Sequence, residues 1–295
     1  MSRDLPSAKA IPDALPVLPS TAMRMLRLDR SSEHYVDRVL QLLELDPPMA
    51  AKVLSASNSA ASGPVCPVTT LRAALSRLGT RRVGSLVIML GVAEVFLPGT
   101  DAQCRMWRHS IEVALGARFL VARTPQAKLD PEEAFLAGLL HDIGRFVMFS
   151  RSPDELARIE ERGWNSAGTL LASEREISGT DHAAVGALAC RHWGLPGETV
   201  EMIARHHEPR KRLGSTATPR VCEAVTAVQI ADILSLLLTF NGPFRTSDAP
   251  RRASALRAVR DAYQHAGSWL TPELLAETSA LMENRAPVAM AELGL

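Results

Sequence analysis

Ala134-Phe-Leu-Ala-Gly-Leu-Leu-His-Asp-Ile-Gly-Arg-Phe-Val147 is the stretch on which the reading of this chain turns. Ahead of it, Asp130 and Pro131 form a helix cap and first turn, and Glu132 and Glu133 suit the positive end of a helix. The run is apolar on almost every side, as in a helix buried all round. It nevertheless carries His141 and Asp142 inward. An unpaired buried charge is costly, so the pair needs partners. Neighbouring hydrogen-bonding groups would satisfy it, and so would a divalent metal ion.

The surroundings fit a globular helical protein. Of 295 residues, 46% are hydrophobic, 22% charged and 4% aromatic. Ala, Leu and Arg dominate, which favours helix. A net charge of +1 provides no global field toward nucleic acid or an anionic membrane, so neither is expected as a partner. The four cysteines, Cys66, Cys104, Cys190 and Cys222, form no CxxC pair. This argues against a zinc ribbon or a disulfide framework and suits a reducing cytoplasm. Met1-Ser-Arg-Asp-Leu-Pro6 has no apolar signal core. The apolar run Val83–Leu97 is too short to span a bilayer.

Helical periodicity and caps recur along the whole chain, and no stretch of period-two alternation is long enough for a strand. The expected fold is all-α, a multi-helix bundle with an N-terminal helical subdomain. Residues 1–13 read as a leader, 14–98 as the N-terminal subdomain, 99–240 as the half that bears the candidate site, and 241–295 as a C-terminal helical extension. Among the boundaries, Asp46-Pro47 caps a helix, Asn58–Pro64 breaks one, Thr80 caps the next to about Leu97, and Asn241-Gly-Pro243 is a turn. Residues 208–219 form the most polar linker, and the last helix is expected to end near residue 283.

Several further polar groups share the setting of His141 and Asp142. His109 lies within an apolar helix, His182 follows the cap Asp181, and His206 and His207 end a helix. Asp232 is the sole charge in the apolar run Ala224–Leu238 of the Val221–Leu238 helix segment. Imidazole and carboxylate together suit zinc, manganese or iron, and the absence of thiolates disfavours a structural zinc. His109, His141, Asp142 and Asp232 would supply one ion. His182, His206 and His207 could hold a second, with Asp142 bridging. Two adjacent ions would clamp a phosphoryl group and activate a water. Arg145 follows His141 by one turn and reads either as a phosphate contact or as an ion partner. Arg205, Arg210, Lys211 and Arg212 either draw an anion or form a solvated run. His34, His192 and His265 read as surface residues.

The order His109, His141-Asp142, Asp232 resembles the HD superfamily of metal-dependent phosphohydrolases, and His182 with His206-His207 resembles its two-metal branch. The chain is most similar to the HDOD family of bacterial signalling proteins. The resemblance rests on Leu15-Pro-Val-Leu-Pro19, Leu45-Asp-Pro47, Ala56-Ser-Asn-Ser-Ala60, Trp107-Arg-His-Ser110 and the His-Asp stretch. Asp181-His-Ala-Ala-Val-Gly186, Trp193-Gly-Leu-Pro196 and His206-His-Glu-Pro209 complete it over about residues 14–240. Two departures stand out. Arg145 replaces the family's usual lysine. Pro209-Arg-Lys-Arg212 stands where the cyclic-di-GMP phosphodiesterases of the two-metal branch carry Gly-Tyr-Pro.

The resemblance implies a cytoplasmic signal-transduction module with a metal centre of one or two ions, iron or manganese ahead of zinc. It would act through a signalling protein partner, a phosphate-containing ligand, or both, with self-association left open. A phosphohydrolase acting on a nucleotide or other phosphoester, with Asp142 and Arg145 as its catalytic residues, is the alternative. A metal-free scaffold with a vestigial site is the third reading.

Overall fold

The computed structural model describes residues 15–59, 67–150, 152–164, 166–240 and 249–295. The expected leader over 1–13, most of the break at 58–64, Cys66 and the turn at 241–243 lie outside them. Among the described residues every regular element is a helix and there is no strand. The chain divides into two compact units.

One unit is Pro16–Leu97 together with Trp193–Pro196. Its helices are Ser20–Leu26, Tyr35–Glu44, Pro47–Asn58, Leu71–Leu78 and Thr80–Val95. Asp46 does double duty: one carboxylate oxygen accepts from Met49 N at 3.1 Å and caps a helix, and the other accepts from Thr21 Oγ1 at 2.6 Å, which ties a second helix to it. Asn58 clasps Val68 by two reciprocal bonds of 2.8 Å. Trp193 is buried, and its indole N–H donates to Pro16 O at 3.0 Å. Thr80 is not a cap. Gly79, at φ +87°, takes that position, and Thr80 begins the helix. Only a glycine adopts such a φ without strain.

The other unit holds Pro98–His192 and Gly197–Leu295. Its long helices are Asp101–Arg123, Pro219–Phe240 and Pro272–Leu293, and shorter ones fill the space between. Val113, Leu120, Val225, Val228, Leu234 and Met282 sit in one buried cluster contributed by all three. Residues 219–239 are long and apolar enough to cross a membrane, but 61% of that window is buried inside the protein, as in a core helix.

Three boundaries differ from expectation. The linker at 208–219 contains the short helix Arg210–Leu213. The last helix continues through Pro287 to Leu293, held by buried Ala286 while the proline ring stays exposed. The decisive stretch is two helices, Pro131–Leu140 and Ile143–Phe149, meeting at His141-Asp142.

Candidate metal centre

The break at His141-Asp142 is what makes the site. Asp142, at φ −98° and ψ 14°, occupies the cap position of the second helix, but its side chain makes no capping bond. Its carboxylate is therefore turned to the interior, where it is 7% exposed. Gly144 lets the flanking helices close: a Cβ there would lie 1.9 Å from His182 O, so any side chain would push the His182–His192 helix away. Asp181 caps that helix by accepting from Ala184 N at 2.9 Å. The helix Gly197–Arg205 stops just before His206-His207, leaving both in a turn. Gln229 pins the turn by donating to His206 O at 2.8 Å and Glu208 O at 2.9 Å. His109 comes from mid-helix in Asp101–Arg123 and Asp232 from mid-helix in Pro219–Phe240.

All seven expected ligand residues converge. Two sets, His109, His141 and Asp232, and Asp142, His182, His206 and His207, each place their ligand atoms within 4.8 Å of one another. In the first set His109 Nε2 is 3.3 Å from His141 Nε2 and 3.4 Å from Asp232 Oδ1. In the second, His182 Nε2 is 3.2 Å from His206 Nε2 and 3.0 Å from His207 Nε2. Asp142 touches both. Its Oδ1 lies 3.1 Å from His182 Nε2 and 3.5 Å from His141 Nε2, and its Oδ2 lies 3.8 Å from His109 Nε2.

The outer nitrogens explain the inner ones. His141 Nδ1 donates to Gly138 O and His206 Nδ1 to Ile203 O, each at 2.7 Å. His182 Nδ1 donates to Glu174 Oε2 at 2.6 Å. His109 Nδ1 lies 2.9 Å from Ser235 Oγ, which donates to Glu112 Oε2 at 2.6 Å. A carbonyl only accepts, so Nδ1 carries the proton and Nε2 presents a lone pair. Lone pairs aimed at one another across 3.0–3.3 Å repel unless a proton or cation lies between them. Such an outer hydrogen bond is what orients a metal-ligating histidine, and a divalent ion fits this donor set.

The electrostatics favour the ligating form at His141, His207 and Asp142 and oppose it at His182 and Asp232. Burial, reinforced by His109 and His206, lowers the His141 pKa to about 3. Burial and the adjacent imidazoles also lower that of His207. Burial opposes ionisation of Asp142, yet His141 and His182 hold it well below the usual carboxylate range. Burial likewise opposes a charge on His182, but Asp142 and Glu174 raise it above the ordinary value. Burial pushes Asp232 up to about 6. An ionised carboxylate among mostly neutral imidazoles is the ligating form.

Glu112 and Glu174, both fully buried, escaped the sequence reading. Glu112 left a trace, a lone carboxylate within the apolar run after His109. Glu174 sits in the charged segment Ser173-Glu-Arg-Glu, where nothing distinguishes it. Arg145 is buried, donates to Glu160 Oε1 at 3.1 Å, and lies 3.5 Å from Glu174 Oε1. It also lines a cavity of about 60 Å³ with His109, Asp142, His207, Asp232 and Trp164. That is room for a few waters or one small anion. Arg205 is held by Glu201 at 2.6 Å and Glu208 at 2.7 Å. His34, His192 and His265 are exposed.

Comparison with known proteins gives three kinds of likeness. The family profile of the HDOD domain matches residues 15–209. An "Uncharacterized protein" of Treponema pallidum (strain Nichols) is 24% identical over 204 residues, 66% of this chain and 38% of that protein. The chain thus spans well under half the length of that relative. Among solved structures, a "Putative phosphohydrolase" of Shewanella amazonensis SB2B is 26% identical with a TM-score of 0.73, covering 97% of both chains. A "Putative signal transduction protein" of Marinobacter aquaeolei VT8 is 25% identical with a TM-score of 0.70, covering 99% of this chain and 62% of that one.

Proposed function

The chain belongs to the HDOD family, and from that premise we propose that it is a regulatory module built around a two-ion metal centre. The observation that carries the reading is the set of histidine Nδ1 anchors that turn Nε2 lone pairs toward shared carboxylates. His109, His141 and Asp232 would hold one ion, His182, His206 and His207 the other, and Asp142 would touch both. Histidine and carboxylate donors without thiolate favour iron or manganese over zinc. Such ions, when bound, supply positive charge that polarises a ligand oxygen and acidifies a nearby water. The protein's own part is to hold the imidazoles as Nδ1–H tautomers, to keep bulk water out, and to balance charge.

Two features support ligand or partner binding ahead of turnover. The cavity over the centre is small. Arg145 is engaged by Glu160 and Glu174, so a phosphate would have to compete with both carboxylates. The module would then report the state of its centre to a separate signalling protein. The second reading, a hydrolase of a nucleotide or other phosphoester, is favoured by the place of Arg145 in the cavity wall beside Asp142. There its fork would grip a phosphate while Asp142 serves the reacting centre. The likeness to the Shewanella protein points the same way.

Metal analysis of anaerobically purified protein tests the proposal. The expected result is close to two divalent ions per chain. Protein that stays metal-free after incubation with iron(II) or manganese(II) would overturn it. Turnover of a phosphoester by the loaded protein would put the hydrolase reading first.

A further inference from the structure

A second cavity, of about 450 Å³, shares no lining residue with the cavity over the metal centre. Its size falls in the range of small-molecule sites, roughly 300–1,000 Å³. Four segments enclose it: the turn after the Asp101–Arg123 helix, residues 210–217, the first turns of the Pro219–Phe240 helix, and residues 265–269. The walls are largely apolar, with Cys222, Ala227 and Ala266 beside the indole of Trp269. That indole is held in place. Its N–H donates to Ala266 O at 2.6 Å. The ring lies over Gly267 at φ +119°, where a Cβ would come within 3.0 Å of it.

The polar groups around this cavity are mostly committed. Glu223 Oε2 accepts from Lys128 N at 2.8 Å and Leu129 N at 3.0 Å. Thr124 Oγ1 donates to Leu120 O at 2.9 Å. Burial, then the charge of Arg210, holds His265 below its ordinary pKa, so it is neutral at pH 7. Arg210 remains. Among the described residues it makes no ion pair, and its Nε lies 4.0 Å from the place a Cβ on Gly214 would take. The absence of a side chain at Gly214 leaves room for the guanidinium on the cavity wall.

We infer that this cavity binds a small aromatic carboxylate, its ring against Trp269 and the apolar wall and its charge at Arg210. A planar guanidinium pairs with a carboxylate through two parallel bonds, and an aromatic ring gains from stacking on a fixed indole. One unpaired cation matches one negative charge. A dianionic phosphate would leave a charge uncompensated close to Glu223. Arg210, His265 and Trp269 all lie beyond residues 15–209, the span of the family profile, and the site does not rest on the metal centre.

The test is NMR titration of the full chain with benzoate and with its neutral isostere benzamide, following the Trp269 indole N–H. Benzoate is expected to move that signal saturably, and benzamide to bind about tenfold more weakly or less. Arg210→Ala should weaken benzoate about tenfold while leaving the rest of the spectrum unchanged. No saturable shift with benzoate, equal affinity for benzamide, or full benzoate affinity in Arg210→Ala would each overturn the inference. The benzamide comparison needs no variant and stands whatever a substitution does to the fold.

Discussion

The two halves of the metal centre are built differently. His109 and Asp232 come from the middle of long helices, with side chains 11% and 17% exposed beside the cavity. His182 and His206 come from a helix start and a turn, yet are buried to 0% and 2%. The supports differ as well. The first half leans on a relay through Ser235 to Glu112, the second on Glu174 directly. Long helices place a residue by their own rigidity. Helix ends need capping and pinning, here by Asp181 and Gln229. The first half therefore presents His109 and Asp232 to the cavity and the second, beyond the shared Asp142, only His207, and the second depends more on its outer bonds.

The largest expected effect removes the distinction altogether. Asp142→Ala should abolish both ions and lower stability by about 3–5 kcal/mol, the usual loss when one partner of a buried charged set is deleted. Elemental analysis and a melting curve check this, and retention of either ion would show that Asp142 is not shared. Next comes a contrast of single losses. His206→Ala should remove one ion and destabilise, whereas Asp232→Asn should remove the other and leave the fold intact. In metal-free protein Asp232→Asn should even stabilise. Burial holds the native Asp232 at about 6, above its unfolded value, so its contribution is present at low pH and is lost as pH rises through 6. At pH 8 the variant should exceed the wild type by on the order of 1–3 kcal/mol, and the difference should vanish near pH 4. Denaturation of the chelated proteins at the two pH values measures it, and equal stability at both would break this account.

A smaller effect probes the outer bonds. Glu174→Gln should weaken one ion and Glu112→Gln the other, each by roughly 10–100-fold. If both variants weaken the same ion, the two supports are not separate. The smallest expected effect is none. Loaded protein should not turn over cyclic-di-GMP, because Pro209-Arg-Lys-Arg212 lacks the glycine turn of the Gly-Tyr-Pro segment, and two ions without substrate alignment give little rate. Steady release of the linear dinucleotide would refute that expectation.

How much could be read in advance depended on how local each signal was. The helices were legible because apolar spacing and caps such as Asp46 and Asp130 act within four residues. Gly79 replacing Thr80 as a cap, and the short helix at Arg210, were errors of one turn or less. The break at His141-Asp142 was harder to see, because an apolar run looks the same whether or not it bends.

His109, His141, Asp142, His182, His206, His207 and Asp232 could be singled out from the sequence alone, since a polar group in apolar surroundings is conspicuous wherever the chain goes. What they become together could not. The division into two sets around Asp142, the tautomers imposed by Gly138 and Ile203 carbonyls, and the roles of Glu112 and Glu174 depend on contacts between residues up to 126 positions apart. Those contacts exist only once helices have packed, and no local pattern records them. Arg145 makes the same point: residue type allowed a phosphate contact or an ion partner, and the packed neighbours Glu160 and Glu174 decided what it touches.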